Sequence, residues 1–127
     1  MELVAIVTLL VLIQYVVLGV RVGQARLRYG IEAPATSGHP MFERHFRIHQ
    51  NTLEQLVVFL PALWLFSAFV RPWLAALLGV AFLAGRFVYE RGYLEDPKKR
   101  ETGAMITAIS TGILLIGALI GAIVRAL

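Results

Sequence analysis

Four apolar stretches divide the chain. The first, 3–20, carries no charge and is interrupted only by Thr8, Gln14 and Gly19. Only Glu2 precedes it as a charged side chain, and no small-x-small cleavage pattern follows. It therefore reads as a permanent helix rather than a signal peptide. No breaker intervenes before Gly30, so this helix should continue through Arg21, Arg26 and Arg28, and Pro34, Ser37, Gly38 and Pro40 mark the connection that follows. The second helix should begin near Met41 with a polar half, continue as a membrane half over 56–70, and bend at Pro61, where proline removes a backbone donor. Arg71-Pro72 is a tight turn. The third is apolar from Trp73 to Ala84 and then carries Arg86, Tyr89, Glu90, Arg91 and Tyr93, until Asp96-Pro97 ends it. The fourth is lined by Gly103, Thr107, Ser110 and Thr111, with Gly117 and Gly121 in a small-xxx-small arrangement that lets helices approach closely. The pattern predicts helices over about 2–28, 41–70, 73–94 and 101–125, each long enough to cross a bilayer at about 20 residues per span.

Composition supports this all-α, integral membrane four-helix bundle. Hydrophobic residues make up 58% of the 127 residues and charged residues 16%, against about 45–50% and about 25% in soluble domains. There is room for one transmembrane domain and for no large soluble one. With no cysteine, a disulfide framework, a thiolate metal site and a protein thiol nucleophile are excluded, so a reacting sulfur must arrive with a substrate. The formal charge is +4, too modest in so apolar a chain to indicate nucleic-acid binding. Its distribution is more informative. Of the twelve Lys and Arg residues, only Arg71 and Arg125 fall outside the two connections that follow the first and third apolar blocks. The positive-inside rule then places both basic connections in the cytoplasm and makes this a multi-pass membrane protein, of the inner membrane in a bacterial cell.

The polar run over 43–54 enters the second apolar block without a turn residue. At 100° per residue, Glu43, Arg47, Gln50, Asn51 and Glu54 share an arc of about 100°. Arg86, Tyr89 and Tyr93 fall within about 60° on the third helix, so two polar faces converge at similar depth. Two accounts stand side by side. Glu43 with Arg47 and Arg86 with Glu90 are candidate i,i+4 pairs, and the tyrosines candidate interface anchors. Alternatively the faces form a binding site, because Gln50 and Asn51 are poor snorkellers that need partners when buried. As a site, the inventory suits a peptide-like zwitterion rich in carboxylates: Arg26, Arg47 and Arg86 as carboxylate grips, Glu54 as an ammonium acceptor, Asn51 as an amide partner. His45 and His49 have metal-ligand spacing but point away from Arg47 and Asn51 and gain no further ligand, so surface or subunit contacts explain them better than zinc.

The block Phe42-Glu43-Arg44-His45-Phe46-Arg47-Ile48-His49-Gln50-Asn51-Thr52-Leu53-Glu54 with Phe59-Leu60-Pro61, and then Gly85-Arg86-Phe87-Val88-Tyr89 with Gly92-Tyr93 and Arg100, resembles the MAPEG family, the membrane-associated proteins in eicosanoid and glutathione metabolism. The resemblance covers nearly the whole chain. It implies a homotrimer with glutathione, a co-substrate, bound in a U shape between neighbouring subunits on the cytosolic side. It further implies that Arg47, Asn51 and Glu54 hold the γ-glutamyl end, that Tyr89 and Tyr93 line the tripeptide site, that His49 is a polar glutathione contact, and that Arg26 reaches in from the neighbouring subunit. Arg100 resembles the arginine that contacts the sulfur and would be catalytic. Read without the resemblance, Lys98-Lys99-Arg100 is a topogenic cluster.

The chemistry is sound. A thiol with a reference pKa near 8.5 is about 3% ionised at pH 7, and a neighbouring cation that lowers the pKa by about 2 units makes thiolate the ~75% species. The expected function is thus a glutathione transferase, with possible peroxidase use of the same thiolate, acting on a lipophilic electrophile or lipid hydroperoxide from the membrane lipid. Two departures weigh against a leukotriene epoxide: Gln55 stands where some eicosanoid-pathway members have tyrosine, and no aromatic residue occurs over 103–127. The competing expectations are a non-catalytic member that binds a lipid or partner protein, and a small four-helix exporter, for which the first helix lacks a membrane-embedded carboxylate.

Overall fold

Each chain reversal is built from a residue that ends one helix or starts the next. The computed structural model describes Met1–Leu127 as α1 (Glu2–Tyr29), α2 (Pro40–Phe69), α3 (Pro72–Glu95) and α4 (Glu101–Ala126), with a 3-10 turn at Pro97–Arg100 leading directly into α4. Gly30 ends α1 in the left-handed region at φ 68°, where a residue without Cβ is least strained, and its N–H bonds Arg26 O. His39 caps α2 by accepting from Met41 N, with Pro40 at the first helical position. Asp96 ends α3 and accepts from Lys98 N, which opens the 3-10 turn. Helix α2 runs through Pro61 without interruption.

All four helices are long and apolar enough to cross a membrane. Large aliphatic side chains such as Leu9, Ile13, Leu119 and Ile123 are exposed around the outside, while Gln14, Thr52, Arg86, Glu90, Thr107 and Ser110 are buried. A solvent-facing domain would distribute these the other way; apolar outside and polar inside is what a lipid environment selects. The apolar half is centred on Val4, Val7 and Val11 of α1, Phe59, Leu63 and Phe66 of α2, and Phe82 of α3, with Phe59 and Phe82 stacked at 3.7 Å between centroids. Trp64 Nε1 donates to Thr8 Oγ1 at 3.0 Å, tying α2 to α1 within this half.

Small residues set the α4 packing. A Cβ at Gly117 would lie 2.5 Å from Phe66 Cε2, and one at Gly121 2.9 Å from Phe69 O, so the predicted small-residue stripe seats α4 against α2. Gly103 does the same against α3: a Cβ there would collide with the backbone of Tyr89, whereas Gly112 faces open space. Gly103→Ala should therefore destabilise the protein by about 1–3 kcal/mol through forced separation of α3 and α4. Gly112→Ala should be neutral or mildly stabilising, by up to about 1 kcal/mol. Thermal unfolding of the two variants in one detergent gives the comparison.

Candidate functional site

The polar half of the bundle is organised by Arg86, which is 1% exposed. Its Nη2 donates to Asn51 Oδ1 at 2.8 Å and to Thr52 Oγ1 at 2.8 Å, joining α3 to the polar start of α2. The guanidinium carbon lies 4.2 Å from the centroid of the Tyr89 ring, within cation–π range. Thr52 is held in turn by its own bond to Ile48 O. Neither i,i+4 pair considered from the sequence forms. Glu43 accepts from Gly38 N, and Glu90 pairs with Arg21 of α1. Arg86 and Glu90 are four residues apart, yet their partners lie on different helices.

Because Arg86 occupies Asn51 Oδ1, the Asn51 amide is oriented: its NH2 group keeps its donors for something else. Asn51, Gln55, Arg86, Tyr89, Arg100 and Thr107 line a cavity of about 320 Å³, completed by Ala104 and Ala108. Arg100, at the 3-10 turn, is exposed. Its Nη1 donates to Pro97 O at 2.7 Å, and its guanidinium carbon lies 5.6 Å from the Tyr93 centroid. Tyr93 in turn lies against Tyr89 at 5.7 Å. The cavity thus runs from an amide and a buried cation at its base to a second cation at its mouth, and its walls on α4 are small.

The remaining sequence candidates lie elsewhere on the same chain. Arg47 and Glu54 are exposed on α2, without an ion-pair partner. His49 stacks on Tyr15 of α1 at 4.5 Å, beside Gly19. Arg26 donates to Ala35 O at 2.7 Å, lies over the Phe42 ring, and borders a separate groove with Gly23, Leu27 and Gly30. One chain therefore brings Asn51, Arg86, Tyr89 and Arg100 together, with Tyr93 adjacent, and leaves Arg26, Arg47, His49 and Glu54 outside the cavity lining. Sequence reading missed Thr52 and the α4 wall of Ala104, Thr107 and Ala108. Thr52 follows Asn51 directly, and a buried arginine needs several acceptors, so it was findable in principle. The α4 wall had only its 3.6-residue spacing as a signal.

A four-helix integral membrane protein, multi-pass, with a polar cavity between three helices near the chain reversal after α3, is the class this fold and cavity define. The chain belongs to the MAPEG family, whose sequence profile matches residues 4–120. It is 46% identical over 116 residues to an uncharacterized protein of Synechocystis sp., covering 91% of this chain and 85% of that one. Similarity extends to human microsomal glutathione S-transferase 2, at 39% identity over 121 residues, 95% of this chain and 80% of the relative. It extends also to mouse leukotriene C4 synthase, at 34% over 123 residues, 97% and 82%.

Arg86→Lys tests the organising role of the buried guanidinium. A single ammonium reproduces neither the shared donation to Asn51 and Thr52 nor the flat contact with Tyr89. With hydrogen bonds to a charged group worth about 1.5–3 kcal/mol each, the variant should lose about 2–4 kcal/mol. The drop should appear as a lowered midpoint in thermal denaturation of detergent-solubilised protein.

Proposed function

We propose that the protein is a membrane-bound glutathione transferase that adds the glutathione thiolate to lipophilic electrophiles, and that uses the same thiolate to reduce lipid hydroperoxides. The observation that carries this reading is the cavity in which Arg86 and Arg100, two cations, flank Asn51 and Tyr89. The names of the relatives, a microsomal glutathione S-transferase and a leukotriene C4 synthase, agree with it. Asn51, oriented by Arg86, donates to a carboxylate or carbonyl of the tripeptide. Tyr89 and Tyr93 form the wall, Arg47 and Glu54 complement the carboxylate and ammonium of the γ-glutamyl end, and Arg100 stands beside the sulfur.

In the conjugation step the thiol proton leaves to solvent and the thiolate attacks an electrophilic carbon. A sulfur–carbon bond forms as the leaving group departs with its electron pair. Arg100 lowers the thiol pKa by favouring the charged form. In the peroxidase reaction two glutathione thiols are oxidised to the disulfide, and the hydroperoxide is reduced to alcohol and water.

The placement of Arg26 and His49 outside the cavity of their own chain favours a shared site in a homotrimer, in which Arg26 and His49 of the partner subunit close over the ligand. The basic connections support a cytoplasmic position for this site, at the inner membrane in a bacterial cell. Gln55 at the cavity wall and the small α4 residues leave room for varied apolar electrophiles rather than one shaped lipid.

Conjugation of a chlorinated nitroaromatic by detergent-purified protein is the test. Arg100→Ala should lower turnover about 25-fold at pH 7, the ratio of about 75% to about 3% thiolate. The deficit should shrink as pH rises toward 9, where the unassisted thiol ionises by itself. Glutathione binding by calorimetry should change little. If wild type turns over no faster than Arg100→Ala while both bind glutathione, the assigned role of Arg100 is wrong; if wild type binds none, the whole reading fails.

A further inference from the structure

Helix α1 carries a second polar feature that the glutathione reading does not use. Leu10, Ile13, Gln14 and Val17 border an apolar groove of about 250 Å³ between α1 and α3, and the same groove ends at Arg21 and Glu90. Arg21 also borders a second cavity of about 280 Å³, with Gln24, Arg28 and His45. The α1 residues of both cavities fall on one side of the helix, within an arc of about 160° at 100° per residue. An apolar trough and a basic one thus meet at Arg21 along a single helix.

The dimensions match one leaflet of a bilayer. From Leu10 to Arg21 the helix rises about 16 Å at 1.5 Å per residue, against about 15 Å for half of the hydrocarbon core. Glu90 explains why Arg21 stays at this junction. The Glu90 side chain is 7% exposed and ion-paired to Arg21, whose own side chain remains 41% exposed. The buried carboxylate holds one edge of the guanidinium and leaves its other donors to the second cavity. An arginine that served only to set topology would need neither a buried acid to hold it nor two cavities beside it. Arg28, seven residues further along, adds a cation with no ion-pair partner, its guanidinium lying over the Tyr29 ring. In the same trough Gln14 Oε1 is buried without a partner, beside the apolar end.

We propose that this trough is a binding site for an anionic glycerophospholipid, with an acyl chain between α1 and α3 and the phosphate at Arg21, Arg28 and Gln24. Charge selects the occupant: the apolar part would accept any acyl chain, but two arginines against one acid favour a headgroup with net negative charge. The face is turned about 180° from that of Gly23, Arg26 and Gly30, so the site and the proposed shared glutathione site do not compete for the same surface. The inference stands independently of catalytic activity.

Native mass spectrometry of the full chain in detergent, titrated with phosphatidylglycerol or phosphatidylcholine of identical acyl chains, tests it. Wild type should retain phosphatidylglycerol at least about fivefold more tightly, and Arg28→Gln should reduce that preference about fivefold, the effect of one cation at a membrane surface. Ile13→Trp, at an outward-facing position 59% exposed, should obstruct the trough and weaken both lipids without loss of fold. Arg21→Gln combined with Glu90→Gln removes the anchored cation without stranding a buried acid, and should also erase the preference. Equal retention of the two lipids by wild type overturns the proposal. So does an unchanged preference in both charge variants, displacement by soluble glycerol phosphate at equal concentration, or an Ile13→Trp variant that alters subunit number and not lipid retention.

Discussion

The Arg86 guanidinium, buried where α2, α3 and α4 meet, is the constraint on which the polar half depends. An ion at bilayer depth costs about 2.5–3.5 kcal/mol even on the lenient insertion scale. Two hydrogen bonds from a charged donor, to Asn51 and Thr52, with a cation–π contact to Tyr89, are of a size to offset that cost. Those contacts require α2 and α3 to keep one register. Gly103 then lets α4 close onto the Tyr89 backbone, and the cavity wall is complete. Packing in the apolar half secures the bundle; the arginine decides how its polar ends face one another.

Much of the architecture could be read from the chain. Helix ends fell within a residue or two of Gly30, Pro40, Pro72 and Asp96 because capping and proline rules act locally. The convergence of Asn51 with Arg86 followed from two polar faces at matching depth. What could not be read was which partner each charge would choose. Sequence spacing offered Arg86 to Glu90, one turn away, but helix packing brought Arg21 to Glu90 and Asn51 to Arg86. Of the α4 wall only Thr107 belonged to the small-residue stripe read from the sequence; Ala104 and Ala108 did not, since an alanine carries no sign of which space it leaves open. Arg100 was singled out through family resemblance; composition alone presents it as the last of three basic residues.

Those partner choices have a chemical consequence. Had Arg86 paired with Glu90, the cavity would have lost most of its positive field. Instead Glu90 pairs with Arg21 of α1, while Arg86 is hydrogen-bonded only to a neutral amide and a neutral hydroxyl. Arg86 keeps its full charge at the cavity base, and Arg100 adds another at the mouth. A unit charge about 6 Å away at an effective dielectric near 20 contributes about 2.8 kcal/mol, or about 2 pKa units. A thiol seated between these arginines would feel a field of that order. The cost of burying Arg86 is therefore the cost of a cation whose hydrogen-bond partners are all neutral. The carboxylate one turn along α3 pairs with Arg21 of α1 instead, so this end of the bundle holds one arginine compensated by an acid and one held by neutral partners alone.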